Sequence, residues 1–138
     1  MFDKTRILIV DDDADILRGT ILRMSVAGYQ VMSAQNGMEA VEMATEYLPD
    51  VIIMDVRMPE LDGLSAMKIL QNQKQTQDIP VIILSASLMD REHALDVGAA
   101  YFLTKPFQGD ALIETVRVAI RQKQSRQVSH SPVPQFQT

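Results

Sequence analysis

The runs RILIV (Arg6–Val10), VIIM (Val51–Met54) and VIIL (Val81–Leu84) limit the possible folds most. Each is continuous and rich in β-branched residues, with no polar residue at every second position. A strand with one wet face alternates; one that does not alternate is covered on both faces, as in a parallel sheet. Two further runs, YQVMSA (Tyr29–Ala34) and AYFL (Ala100–Leu103), are less apolar, as suits the edges of such a sheet.

Helical spacing fills the gaps between the runs. Leu17, Ile21 and Met24 share a face within Asp15–Ala27, and Ala40, Val41, Ala44 and Leu48 within Gly37–Leu48. Met67 and Leu70 lie in Leu64–Gln71, Ala94 and Val97 in Leu88–Val97, and Leu112, Val116 and Ala119 in Gly109–Lys123. Asp13 and Asp62 stand where caps of the first and third helices belong. The pattern is (βα) five times, an α/β chain with parallel strands joined by helical crossovers.

In open α/β sheets, ligands bind beyond the carboxyl ends of the strands, where the strand order reverses. The chain's chemistry gathers there. Asp11, Asp12 and Asp13 follow the first run, Asp55 the third, Ser85 the fourth, and Lys105-Pro106 the fifth, past Thr104. The second is followed only by the turn Gln35-Asn36-Gly37. If the first and third strands are neighbours, these groups meet in one crevice. Carboxylates crowded together need compensation to stay ionised, and a divalent cation supplies it. All donors are hard oxygens with no His or Cys nearby, which favours Mg²⁺. A lysine and a hydroxyl opposite such an ion suit the remaining oxygens of a phosphoryl group, and Asp55 beside them suits a nucleophile forming an aspartyl phosphate.

Composition narrows the alternatives. The 138 residues suit one domain, and 46% hydrophobic residues suffice for its core. A net charge of −5 argues against nucleic-acid binding by bulk electrostatics. The absence of cysteine excludes disulfides and thiolate metal sites. No apolar run approaches the roughly 20 residues of a membrane span, and acid follows MFDKTRILIV too early for a secretion signal. A cytoplasmic location is expected.

The motifs ILIVDDD, VIIMDVRMPELDG, VIILSAS and FLTKPF, in this order and at this spacing, closely resemble response-regulator receiver domains of two-component signalling. The resemblance spans about Lys4 to Lys123. It implies a flavodoxin-like doubly wound sheet of order 2-1-3-4-5. Residue by residue, it implies that Asp11 and Asp12 hold Mg²⁺ with Asp55 and the backbone carbonyl of Arg57. Asp55 becomes the phosphoacceptor and Lys105 the partner of the phosphoryl group. Ser85 takes the place of the switch hydroxyl, more often threonine, and Phe102 that of the switch aromatic, without a phenolic OH. Pro106 matches a proline that follows a cis peptide bond in the family, and Arg57 and Ser87 flank the site where water access is tuned. The implied partners are a histidine kinase or phosphotransfer protein as donor, and an output domain or protein at the face of the fourth helix, fifth strand and fifth helix. Homodimerisation is common in the family. Such a domain is a signalling module that catalyses only its own phosphorylation and dephosphorylation.

Two other functions compete. A Mg²⁺-dependent phosphohydrolase of haloacid-dehalogenase type would use Asp11 as nucleophile in the Asp-x-Asp of Asp11 and Asp13, but Asp15 stands where that family has Thr. A pseudo-receiver would share the fold without phosphorylation; the full set of Asp11, Asp12, Asp55, Ser85 and Lys105 argues against it. His93 is expected at the surface of the fourth helix. Residues 124–138, rich in Gln and Ser and containing Ser-Pro-Val-Pro, suit a flexible tail or linker, as at the start of a connection to a further domain. His130 lies in it with no partner in view.

Overall fold

The computed structural model describes residues 4–129. In chain order the elements are β1 (Arg6–Val10), α1 (Ala14–Val26), β2 (Gln30–Ala34), α2 (Gly37–Tyr47), β3 (Val51–Asp55), α3 (Gly63–Gln71), β4 (Val81–Ser85), a 3₁₀ turn (Leu88–Asp90), α4 (Arg91–Asp96), β5 (Tyr101–Thr104) and α5 (Gly109–Ser129). The strands form one sheet of order β2-β1-β3-β4-β5, parallel throughout, with the two less apolar strands at its edges. This is the flavodoxin-like α/β fold.

The continuous apolar runs follow from helices on both faces. Leu8, Val10, Ile52, Met54, Val81 and Ile83 point into one core, closed by α2, α3 and α4 through Ala40, Ala44, Ala66, Met67, Leu70 and Ala94. Their strand neighbours Ile7, Ile9, Val51, Ile53, Ile82 and Leu84 point into the other, closed by α1 and α5 through Leu17, Met24, Leu112, Val116 and Ala119. With neither face wet, alternation has no cause. Asp13 caps α1, its carboxylate accepting from the N–H groups of Asp15 and Ile16, and Asp62 caps α3 by accepting from that of Ser65.

Three boundaries differ from the sequence expectation. The segment Leu88–Val97 is not one helix: a 3₁₀ turn precedes an α4 of six residues. Leu48 leaves the α2 stripe, closing that helix in a left-handed conformation (φ 48°) with its side chain exposed. The next residue is Pro49, whose ring disfavours right-handed helix in the residue before it, so α2 must stop there. Finally, α5 runs to Ser129, past the expected boundary at Lys123; residues 130–138, His130 among them, lie outside the described residues.

Two glycines bring the β3–α3 connection close to the strand ends. A Cβ on Gly63 would stand 2.1 Å from the carbonyl oxygen of Asp55, and one on Gly37 2.2 Å from that of Leu61. The Gly63 N–H donates to Val56 O at 2.8 Å and the Gly37 N–H to Leu61 O at 3.1 Å. The loop after Asp55 is thus fixed by backbone contact that tolerates no side chain. Gly63→Ala should therefore lose about 1–3 kcal/mol of stability in urea unfolding. Gly19→Ala, on open surface within α1 with nothing within 4 Å of its added carbon, should gain about 0.5–1 kcal/mol. Equal effects of the two substitutions would contradict this account of the loop.

Candidate functional site

β1 and β3 are neighbours, paired from Ile7–Val51 to Val10–Met54, so the residues that follow them emerge side by side. Asp55 ends β3 and Asp11 follows β1; both are buried, whereas Asp12 is exposed. Single ligand oxygens of Asp11, Asp12 and Asp55 lie within 4.8 Å of one another. Asp11 is held from two sides: its N–H donates to Ala34 O at 3.2 Å, and its Oδ1 accepts from the Asp13 N–H at 3.0 Å. Lys105 arrives from the end of β5, its N–H bonded to Ser85 O at 2.7 Å across the sheet. Its Nζ stands 2.9 Å from Asp55 Oδ1 and 3.5 Å from Asp11 Oδ2. The Lys105-Pro106 peptide is cis, as the sequence led us to expect.

The electrostatics are unbalanced. Three carboxylates face one ammonium, leaving an excess of two negative charges when all are ionised. Burial pushes the Asp55 carboxyl above its ordinary range; Lys105 opposes the shift, and Asp11 and Asp12 add to it. Burial acts to lower Lys105, but the hydrogen bond and charge of Asp55, joined by Asp11, outweigh it and hold the ammonium above its ordinary value. The donor set is all oxygen and its excess charge equals that of a divalent cation, so these residues fit Mg²⁺.

Two other expected residues take less direct places. Ser85 ends β4 fully buried, but its hydroxyl donates to Asp90 Oδ2 at 2.6 Å and accepts from the Ser87 N–H at 3.0 Å. The Arg57 side chain extends into solvent and pairs with the same carboxylate, Nη2 to Oδ2 3.2 Å. Asp90 was not foreseen from sequence. Phe102 is half-buried against the core under α4, whereas its neighbour Tyr101 packs on the α5 side and its hydroxyl donates to Gln122. The two rings thus serve opposite faces of β5, and only Phe102 shares a face with α4. His93 is exposed on α4. Among the described residues, no helix is long and apolar enough to cross a membrane.

Residues 7–117 match the family model described as the response regulator receiver domain. The chain belongs to the response-regulator receiver family. Among curated relatives, the transcriptional regulatory protein PrrA of Mycobacterium tuberculosis is 39% identical over 91% of this chain and 54% of its own length. The receiver thus spans about half the length of the curated relatives it matches. Among solved structures, the chemotaxis response regulator CheY4 of Vibrio cholerae superposes with a TM-score of 0.80 at 31% identity, covering 85% of this chain and 99% of that one. The receiver domain of a Pseudomonas aeruginosa sensor histidine kinase, with a magnesium ion coordinated in its active-site cleft, gives a TM-score of 0.80 at 32% identity, covering 86% and 98%. This receiver is therefore a phosphoacceptor signalling module with an acidic pocket able to hold a metal, and not a conventional enzyme.

The charge imbalance sets a pH dependence. A carboxyl that titrates higher in the fold than in the unfolded chain makes the folded state hold its proton more tightly. Stability then falls as pH rises from about the carboxyl's ordinary value of 3.8 through the raised value, and the deficit persists above it. Lys105 has the opposite consequence: its contribution is present below its ordinary value of 10.5 and is lost only as pH rises through the raised one. Asp55→Asn removes the carboxylate penalty. At pH 7 without divalent cations it should unfold at higher urea concentration than the wild type, and Mg²⁺ should stabilise the wild type more than the variant. A variant less stable than the wild type in the absence of cations would contradict the electrostatic account.

Proposed function

We propose that Asp55 receives the phosphoryl group, from a phosphohistidine on a histidine kinase or phosphotransfer protein. The observation that carries this reading is the contact of Lys105 Nζ with Asp55 Oδ1, at the focus of three converging carboxylates. An Asp55 oxygen attacks phosphorus in line; the new O–P bond forms as the N–P bond breaks, and its electron pair leaves on the partner's imidazole. Lys105, already placed by two carboxylates, donates to the transferred oxygens without further reorganisation. Asp11, Asp12 and Asp55, with the Arg57 carbonyl, would hold Mg²⁺, which when bound supplies further positive charge to those oxygens. The ion in the Pseudomonas aeruginosa receiver supports this assignment.

Ser85 is the switch hydroxyl in this reading, drawn toward the phosphorylated Asp55, with Phe102 moving into the space it vacates. The output face is then α4, β5 and α5. Support comes from Leu88, Met89 and Leu95, large apolar side chains left exposed on the 3₁₀ turn and α4, and from the relatives named as transcriptional regulators. A cytoplasmic location and an output domain or partner protein follow from the same reading. The hydrolase alternative is disfavoured because Asp13 is committed to capping α1.

The test is intact mass after incubation with Mg²⁺ and acetyl phosphate. The wild type should gain one phosphoryl group, labile to hydroxylamine, and Asp55→Asn should gain none. Lys105→Met should slow the gain by about 10²-fold, the scale of losing one charge-stabilising donor. An adduct kept in Asp55→Asn and lost in Asp11→Asn would establish the hydrolase instead, and no wild-type adduct even at short times would establish a pseudo-receiver.

A further inference from the structure

Asp90 is an acid with an unusual commitment. It stands where the 3₁₀ turn meets α4, at the position where an aspartate normally caps a helix, yet its carboxylate accepts no backbone N–H of α4. Its oxygens go to two side chains from different strand ends. Oδ2 accepts the Ser85 hydroxyl at 2.6 Å, and both oxygens face Arg57 Nη2, at 3.2 and 3.4 Å. The Asp90 side chain is mostly buried (17% exposed), so its bond to Ser85 is formed largely away from water.

A serine hydroxyl has one proton to donate. While Ser85 gives it to Asp90, it cannot give it to an oxygen of a group on Asp55. Asp90 and a phosphoryl group on Asp55 are therefore rival acceptors for one proton. Ser85 Oγ also accepts the Ser87 N–H at 3.0 Å, so in the resting state the hydroxyl both accepts and donates on the side of the 3₁₀ turn. Arg57 makes the exchange workable: it lies two residues after Asp55 and stays paired with Asp90, so the carboxylate keeps a partner when Ser85 departs.

We propose that Asp90 is a positioning residue of this receiver that holds the Ser85 hydroxyl in its resting orientation and so sets the cost of the phosphorylated state. This rests on the reading of Asp55 as phosphoacceptor. The same bond anchors the 3₁₀ turn. Leu88 and Met89, the two residues before Asp90, are among its most exposed apolar side chains (66% and 89%). Release of Ser85 leaves Arg57 as the remaining side-chain partner of Asp90 and loosens the turn that carries them, linking the pocket to an apolar surface. Because coupling is reciprocal, removing Asp90 must favour the phosphoryl-bound state by as much as the Ser85–Asp90 bond opposes it.

The test is a titration with beryllofluoride, a phosphoryl mimic, in saturating Mg²⁺, followed by NMR of the full chain. The variants are Asp90→Ala, Ser85→Ala and their combination. Asp90→Ala should bind roughly tenfold tighter than the wild type, the scale expected when a hydrogen bond to a charged group no longer has to be broken. In the Ser85→Ala background the same substitution should change nothing, which a general loosening of the turn would not reproduce. The isosteric Asp90→Asn, which keeps a weaker acceptor oxygen, should tighten binding by a smaller factor and serves if Asp90→Ala does not fold. Before any ligand is added, the Leu88 and Met89 signals of the Asp90 variants should already lie part-way along the path taken by the wild type on binding. Equal affinity of wild type and both Asp90 variants, or a tightening undiminished in Ser85→Ala, overturns the proposal. A wild type that binds no beryllofluoride overturns the phosphoacceptor reading itself, and is told apart by that missing first titration.

Discussion

Among the described residues, the Lys105 ammonium, 2.9 Å from Asp55 and 3.5 Å from Asp11, is the one positive charge set against three converging carboxylates. The rest of the site depends on this incomplete neutralisation. A fully neutralised pocket would have little use for a cation or for the phosphoryl chemistry that a cation serves. A pocket without the lysine would leave buried like charges uncompensated. The fold sustains the imbalance because its rigid parts enforce it. β1 and β3 lie side by side, Lys105 is tied to the end of β4 through its own N–H, and Gly63 holds the loop after Asp55 against the strand. The folding stability of the two cores supplies what the crowded charges cost.

Much of this was legible in sequence, because parallel sheets leave a direct trace. Strands buried on both faces lose their alternation, and polar residues past their ends have only one place to go. Asp11, Asp55 and Lys105 could be grouped without coordinates for that reason. Phe102 was singled out from Tyr101 only through the resemblance; neighbouring residues on a strand face opposite ways, and the structure gives the two rings to opposite cores.

What escaped depends on exact turn geometry. The run from Leu88 to Val97 carries helical spacing, and spacing does not register that its first turn is 3₁₀. That turn brings Asp90 back over Ser85, five residues earlier, and within reach of Arg57. Read along the chain, Met89-Asp90-Arg91 is only the charged start of a helix; an acid five residues after the strand-end hydroxyl was the available signal. Leu48 escaped because the α2 stripe extends to it by periodicity while Pro49 ends the helix just before it. The length of α5 escaped because Gln and Ser lower apolar content without forbidding a helix.

The central claim is that this pocket directs phosphoryl chemistry to one carboxylate out of three. Borohydride reduction of the receiver after phosphorylation by acetyl phosphate with Mg²⁺, followed by peptide mass mapping, tests it most directly, because reduction turns an acyl phosphate into the corresponding alcohol. The account predicts homoserine at position 55 and unmodified aspartate at positions 11 and 12. Homoserine at position 11 or 12, with Asp55 intact, would contradict it.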